Sequence, residues 1–306
     1  MKSKYKIFAI IIVGIIAVFI SYIALNFRWH LVLRDNKVIE YKAGLVDKNI
    51  RNLTVYIPEG TTEIMNDAFS GCKSIEKVYI PESVKIIHAD AFRYCINLKK
   101  IHFSKSLTTI EDGAFRNCAM LEFVELPSSV TNIGKRAFAD CISLGEVVLP
   151  ENLKVIEFET FDGCENLKYV YLGNVEILKN DAFSRCNNII EINMPDSITR
   201  IGENSFEETE WFKRLPINPY GLKCYKHILF KSTDIIIPDN ITVIAGGAFQ
   251  GSTNLKSITL PESLKYIENS TFADCINLEG IFIPRSVEYI GISAFSNCKS
   301  LTEIEI

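Results

Sequence analysis

Nine cysteines and four histidines are the residues of this 306-residue chain best suited to bind a metal, form disulfides or act as nucleophiles. Eight of the cysteines recur in register, at Cys72, Cys95, Cys118, Cys141, Cys164, Cys186, Cys275 and Cys298. Metal sites draw ligands from close pairs such as C-x₂-C or from residues that converge in space, and no C-x-x-C occurs here. Stacked at the roughly 4.8 Å spacing of neighbouring strands, successive cysteines would lie within disulfide range. Their parallel Cβ vectors would still sit farther apart than the preferred ~3.8 Å. Thr209 and Ser252 take the same slot in two units, which suits a small buried side chain rather than a pairing partner. Cys224 stands off the pattern and is the candidate for a reactive or intermolecular thiol. His30, His88, His102 and His227 fall in four separate segments, and neither H-E-x-x-H nor G-x-S-x-G is present. The residues therefore predict buried thiols, no metal, no cofactor and no enzymatic activity.

The elements that hold the cysteines repeat with them. Phe69, Phe92, Phe115, Phe138 and Phe161 are 23 residues apart, and Phe183 and Phe206 follow after 22 and 23. A gap of 43 leads to Phe249, and Phe272 and Phe295 resume the step of 23. A small residue precedes each phenylalanine, as in Ala137 and Thr160. After each cysteine slot comes a pattern such as Leu121, Val124, Leu126, Pro127, whose alternation fits a half-buried strand. Proline then ends the strand, since it cannot donate to a ladder. The second half of the unit has apolar residues three apart, as at Val130 and Ile133, which predicts a helical or 3₁₀ turn behind the strand. One such unit cannot bury its own apolar residues, so the units must stack. The fold predicted over 50–306 is an α/β-type repeat solenoid with a parallel strand ladder and a phenylalanine spine. The 43-residue gap predicts an inserted, projecting hairpin within 207–231, with Trp211 and Phe212 closing the core beside it.

Units such as Ile80-Pro81-Glu82-Ser83-Val84, followed by Ile87, Ala91-Phe92, Cys95, Leu98 and Ile101, resemble the BspA-like, or Treponema pallidum-type, leucine-rich repeat family. The unit from Ile283 to Ile304 repeats the match, and the resemblance covers about Asn52 to Ile306. It implies a leucine-rich repeat solenoid. It also implies a surface or secreted protein that works by adhesion or recognition and carries no catalytic motif.

The outward positions of the strands are where such a protein is free to vary. Tyr79, His102, Phe123, Tyr169, Tyr171 and Phe282 place aromatic rings among polar neighbours there. That mixture suits recognition of a protein or glycan, although strands favour aromatic residues in any case.

Charge and the chain ends complete the expectation. Net charge is −4, and without the five basic residues that precede Asp35 the remainder carries 28 basic against 37 acidic residues. A nucleic-acid partner is therefore not expected. Residues 1–6 read as a short cytoplasmic tail and the uncharged apolar run 7–25 as a transmembrane signal anchor. Nineteen residues of helix would reach about 28 Å, close to the hydrocarbon thickness of ~30 Å. Lys2, Lys4 and Lys6 favour an inside N-terminus. Residues 26–49 then form a juxtamembrane linker and N-terminal cap. The expected protein is a single-pass, membrane-anchored extracellular binding module, secreted if the segment is cleaved. The alternative is a structural or self-assembling surface scaffold without a specific small ligand. It draws on the bare strand position Glu303-Ile304-Glu305 as an edge for self-association. Asn52, Asn240 and Asn269 lie in N-x-S/T sequons, relevant only in a eukaryotic secretory setting.

Overall fold

The computed structural model describes residues 31–41, 52–218, 221–232 and 237–306. A regular coil carries two short strands. The first spans three to five residues, as in Ile75–Tyr79, Glu146–Val148 and Tyr169–Tyr171. The second spans two residues beyond the proline turn, as in Ile86–Ile87, Asn132–Ile133 and Ile177–Leu178. Both pair in parallel with the next coil at a shift of one repeat, so Glu146 faces Phe123 on one side and Tyr169 on the other. The alternation read from the sequence holds: Val147 is buried while Val148, its neighbour on the strand, is exposed.

The predicted repeat solenoid is the observed fold, with far less helix than its class name suggests. The segment behind each strand is a run of turns. The residue two before each phenylalanine adopts a left-handed backbone, as at Asp67, Asp90, Arg136 and Asp181, with φ of 56°, 56°, 56° and 59°. That conformation cannot continue a helix. Donors there are spent between coils instead: Phe69 N–H bonds the Ala91 carbonyl and Phe115 N–H the Ala137 carbonyl, each at 2.7 Å.

The core is a spine of stacked phenylalanines. Ring centroids lie 4.7 Å apart for Phe69–Phe92, 5.3 Å for Phe115–Phe138 and 5.4 Å for Phe183–Phe206. The stack stops at Phe206 and resumes at Phe249–Phe272, 5.2 Å apart. Between them lie the helix Glu210–Arg214, capped by Thr209, and an antiparallel hairpin of Leu222–Tyr225 and Ile228–Ser232. The hairpin does not project. Ile228 and Leu229 pair in parallel with Val243 and Ile244, and Phe230 is buried with its ring edge-on to Phe206, Trp211 and Phe212.

The membrane-anchored reading is corrected. Among the described residues no helix is long and apolar enough to cross a membrane. The run 7–25, on which the anchor, the membrane contact and the single-pass localisation all rested, lies outside the described residues.

Candidate functional site

The repeat cysteines are placed for structure. Sγ of Cys95, Cys118, Cys141 and Cys164 donates to the carbonyls of Phe69, Phe92, Phe115 and Phe138 in the preceding coil, at 3.1, 3.2, 3.3 and 3.3 Å. Ser252 Oγ makes the equivalent bond to Ser232 at 3.1 Å. The slot therefore selects a small donor, and the Ser252 substitution already carried that signal in the sequence. Burial pushes the Cys118 thiol well above its ordinary range and Cys275 up to about 11, which suppresses the reactive thiolate. Cys224 is half-buried, packs against the core and is likewise raised by burial, so it is not a poised nucleophile.

The histidines are also separated. His88 bridges two coils, with Nε2 2.9 Å from Glu63 Oε2 and Nδ1 3.1 Å from Glu111 Oε2. Lys37 Nζ occupies the same Glu63 oxygen at 2.8 Å. Among the described residues no group of three His, Cys, Asp or Glu side chains could hold a metal ion.

The outward strand face divides the six predicted residues into separate places. Tyr79 and His102 lie on adjacent coils with rings stacked at 4.3 Å and 7°. Tyr56 extends the stack at 4.8 Å and 8°, and is 64% exposed. Sequence reading missed Tyr56 because the first coil is irregular, although Val55-Tyr56-Ile57-Pro58 carries the strand-then-proline signal. Stacked rings bury their faces against one another and show their edges, which are electropositive, to solvent. A planar ligand cannot slide between them. Beside this stack, Lys77 and Lys100 are paired in register. Farther along, Glu125, Glu146 and Glu191 occupy the two outward columns. The face thus runs from basic and aromatic to acidic.

Phe123 and Tyr169 are two coils apart with Glu146 between them. They border an open hollow of ≈580 Å³ together with Asn166 and Lys168. Tyr171 lies one coil from Val148 and one from Asn193. Phe282 is exposed in a different sheet, beyond the hairpin, and does not join the others. A second open hollow, of ≈570 Å³, surrounds Phe158 on the short-strand side. The ammonium groups of Lys135 and Lys179 stand 5.6 and 6.0 Å from the Phe158 ring centroid.

Several solved repeat proteins are similar to the chain. The chain is 24% identical to a leucine-rich repeat protein from Bacteroides ovatus, covering 89% of this chain and 79% of that one with a TM-score of 0.50. The pneumococcal vaccine antigen PcpA is 20% identical over 89% of this chain and 78% of its own, with a TM-score of 0.48. A T. pallidum leucine-rich repeat protein is 21% identical over 89% and 87%, with a TM-score of 0.37. Of these three, the Bacteroides ovatus protein reaches a TM-score of 0.50, and that likeness concerns fold alone. No functionally curated protein is significantly similar to the chain. The model of the BspA type leucine rich repeat region, six copies long, matches residues 48–144, 108–219 and 221–306. These matches span most of the chain and agree with the coils described above, so the chain belongs to the BspA-type leucine-rich repeat family.

Proposed function

We propose that the chain is a non-catalytic structural scaffold that organises macromolecular partners along its outward strand face and holds no specific small ligand. The observation that carries this is the Tyr56–Tyr79–His102 stack beside Lys77 and Lys100. Stacking fixes the rings before any partner arrives, so little side-chain entropy remains to be lost on contact. The change from basic to acidic along the same columns supplies polarity for a long partner or a second copy rather than a pocket for a metabolite. The hollows around Phe158 and between Phe123 and Tyr169 are open depressions lined by charged and polar residues, unlike the enclosed apolar cavities that hold small molecules.

The double variant Tyr79→Ala, His102→Ala tests this reading in the full chain. Amine cross-linking in an extract of the source cells should lose its main intermolecular products while far-UV circular dichroism stays unchanged. Identical products from the variant would remove the stack from the working surface.

A further inference from the structure

The N-terminal hairpin, Leu31–Arg34 and Lys37–Tyr41, and the internal hairpin are the same device in the same register. In the first, Leu31 faces Tyr41 and Arg34 faces Lys37, with an irregularity between Val32 and Leu33. In the second, Leu222 faces Ser232 and Tyr225 faces Ile228, with the irregularity between Lys223 and Cys224, at the same step. Asp35 and Lys226, the fifth residue of each, have left-handed backbones with φ of 50° and 54°. Each hairpin feeds its second strand into the following coil at matching positions. Lys37 and Val38 pair with Glu63 and Ile64, and Ile228 and Leu229 pair with Val243 and Ile244.

The flanking backbone bonds agree one for one. Thr62 N–H donates to Asn36 O at 2.8 Å, and Thr242 N–H to His227 O at 3.0 Å. Met65 N–H donates to Val38 O and Ala245 N–H to Leu229 O, both at 2.9 Å. Tyr41 N–H donates to Ala68 O at 2.6 Å and Ser232 N–H to Ala248 O at 2.8 Å. Among the described residues the first hairpin precedes the first coil, so the second has the geometry of a start.

What precedes the internal hairpin has the geometry of an end. In regular coils the phenylalanine N–H donates to the next coil, but Phe206 N–H is satisfied by the Glu207 carboxylate at 3.0 Å. The helix Glu210–Arg214 then replaces the long strand and lays Trp211 over Phe206. Among the described residues no ladder pair joins Arg200–Ile201 to Ile228–Ser232; the short-strand ladder is also interrupted between Asn132–Ile133 and Val155–Ile156, so the helix in place of a long strand is what sets this place apart. The core divides just beyond the helix, within the hairpin and the coil it feeds: Ile228, Phe230, Val243 and Ala245 pack with the first cluster, and Leu222, Leu229, Ile241 and Ile244 with the second. The fasteners between the two sides are one backbone bond, from Gly246 N–H to Ile201 O at 2.9 Å, and several side chains. Arg200 holds Glu268 at 2.5 and 3.2 Å with its guanidinium near the rings of Tyr266 and Tyr289, and Lys226 Nζ reaches Met194 O at 3.0 Å.

We infer that the chain holds two separately capped repeat arrays in tandem, one ending with the helix at 210–214 and one beginning at Leu222, and that they unfold as two cooperative units. The stretch 207–232 is a terminus followed by a new start, not an insertion within one array. Neighbour coupling carries stability along a solenoid, and that coupling is weakened where a helix replaces the long strand and Phe206 N–H turns to Glu207 instead of the next coil. The inference stands independently of what the strand face binds.

Hydrogen exchange of the native full chain, followed by mass spectrometry, tests it with Phe272→Ala and, separately, Phe115→Ala. The first should speed exchange across 241–305 by more than about tenfold and change 75–201 by less than about twofold; the second should do the reverse. Complete loss of protection confined to the substituted half is the same result in stronger form. An equal factor in both halves, whatever its size, overturns the inference.

Discussion

Replacing Cys141 separates two accounts of the cysteine slot, a small filler or a hydrogen-bond donor. Cys141 is fully buried, and its Sγ lies 3.3 Å from the Phe115 carbonyl. That carbonyl also accepts Cys118 N–H at 3.1 Å, so losing the thiol leaves it with one partner rather than none. Cys141→Ala removes a sulfur of roughly methylene size, worth about 0.8 kcal/mol of burial, and a weak bond worth about 0.5 kcal/mol. A residual void adds to this, for a total near 2 kcal/mol. Cys141→Ser keeps the donor, as Ser252 does against Ser232. It loses mainly apolar area and should cost about 1 kcal/mol. The measurement is the urea midpoint of the full chain, read as stability only if the slope of the transition is unchanged. The donor account requires serine to be the milder change by at least about 0.5 kcal/mol. Alanine as mild as serine, or milder, would refute it, because pure filling penalises a buried hydroxyl and not a methyl.

Three further outcomes follow from the packing between coils. A Cβ on Gly134 would lie 2.5 Å from the Asp112 backbone nitrogen, so Gly134→Ala should lower stability by about 2 kcal/mol or more and show as a lowered thermal midpoint. Arg200→Ala strands the buried Glu268 carboxylate and should destabilise by about 3 kcal/mol at neutral pH, while Arg200→Lys restores part of the loss; full stability of the alanine variant would show that the pair contributes nothing. The third concerns acid. Hydrogen bonding to Lys37 and then to His88 holds the Glu63 carboxyl below its ordinary value. A lowered folded value means its contribution is complete above the unfolded carboxylate range and fades as pH falls through the folded value. The site is partly exposed, so the contribution is under about 1 kcal/mol. Exchange protection of the amides in Lys37–Tyr41 should weaken on acidification more in wild type than in Glu63→Gln.

The features legible in the sequence were those that every coil must repeat. Phe69 to Phe295 mark the spine, the prolines mark the strand ends, and the 43-residue gap falls where the stack breaks. The second, two-residue strand was not legible. Val130 and Ile133 have a spacing shared by a helical turn and by this turn-rich path, and the deciding left-handed residue takes many identities, among them Asp67, Arg136 and Glu159. The roles of Glu207 and of the internal hairpin were hidden for a different reason. Leu31–Tyr41 and Leu222–Ser232 share backbone pairing but little side-chain pattern, and backbone pairing leaves almost no mark in composition. On the strand face, Tyr79 and His102 proved to be neighbours, whereas Phe282 was grouped with them only by its place in the repeat. The anchor rests on the length and hydropathy of the run 7–25 and on its flanking lysines; that run lies outside the described residues, and among those no helix is long and apolar enough to cross a membrane.

The claim that the outward strand face, not a hollow, is the working surface can be tested most directly by mapping intermolecular lysine cross-links of the full chain. Lys77 and Lys100 stand on the face, and Lys135 and Lys179 flank Phe158 on the other side. The scaffold account predicts cross-links, to partners or to a second copy, concentrated at Lys77 and Lys100. Cross-links concentrated at Lys135 and Lys179, with Lys77 and Lys100 unmodified by partners, would contradict it.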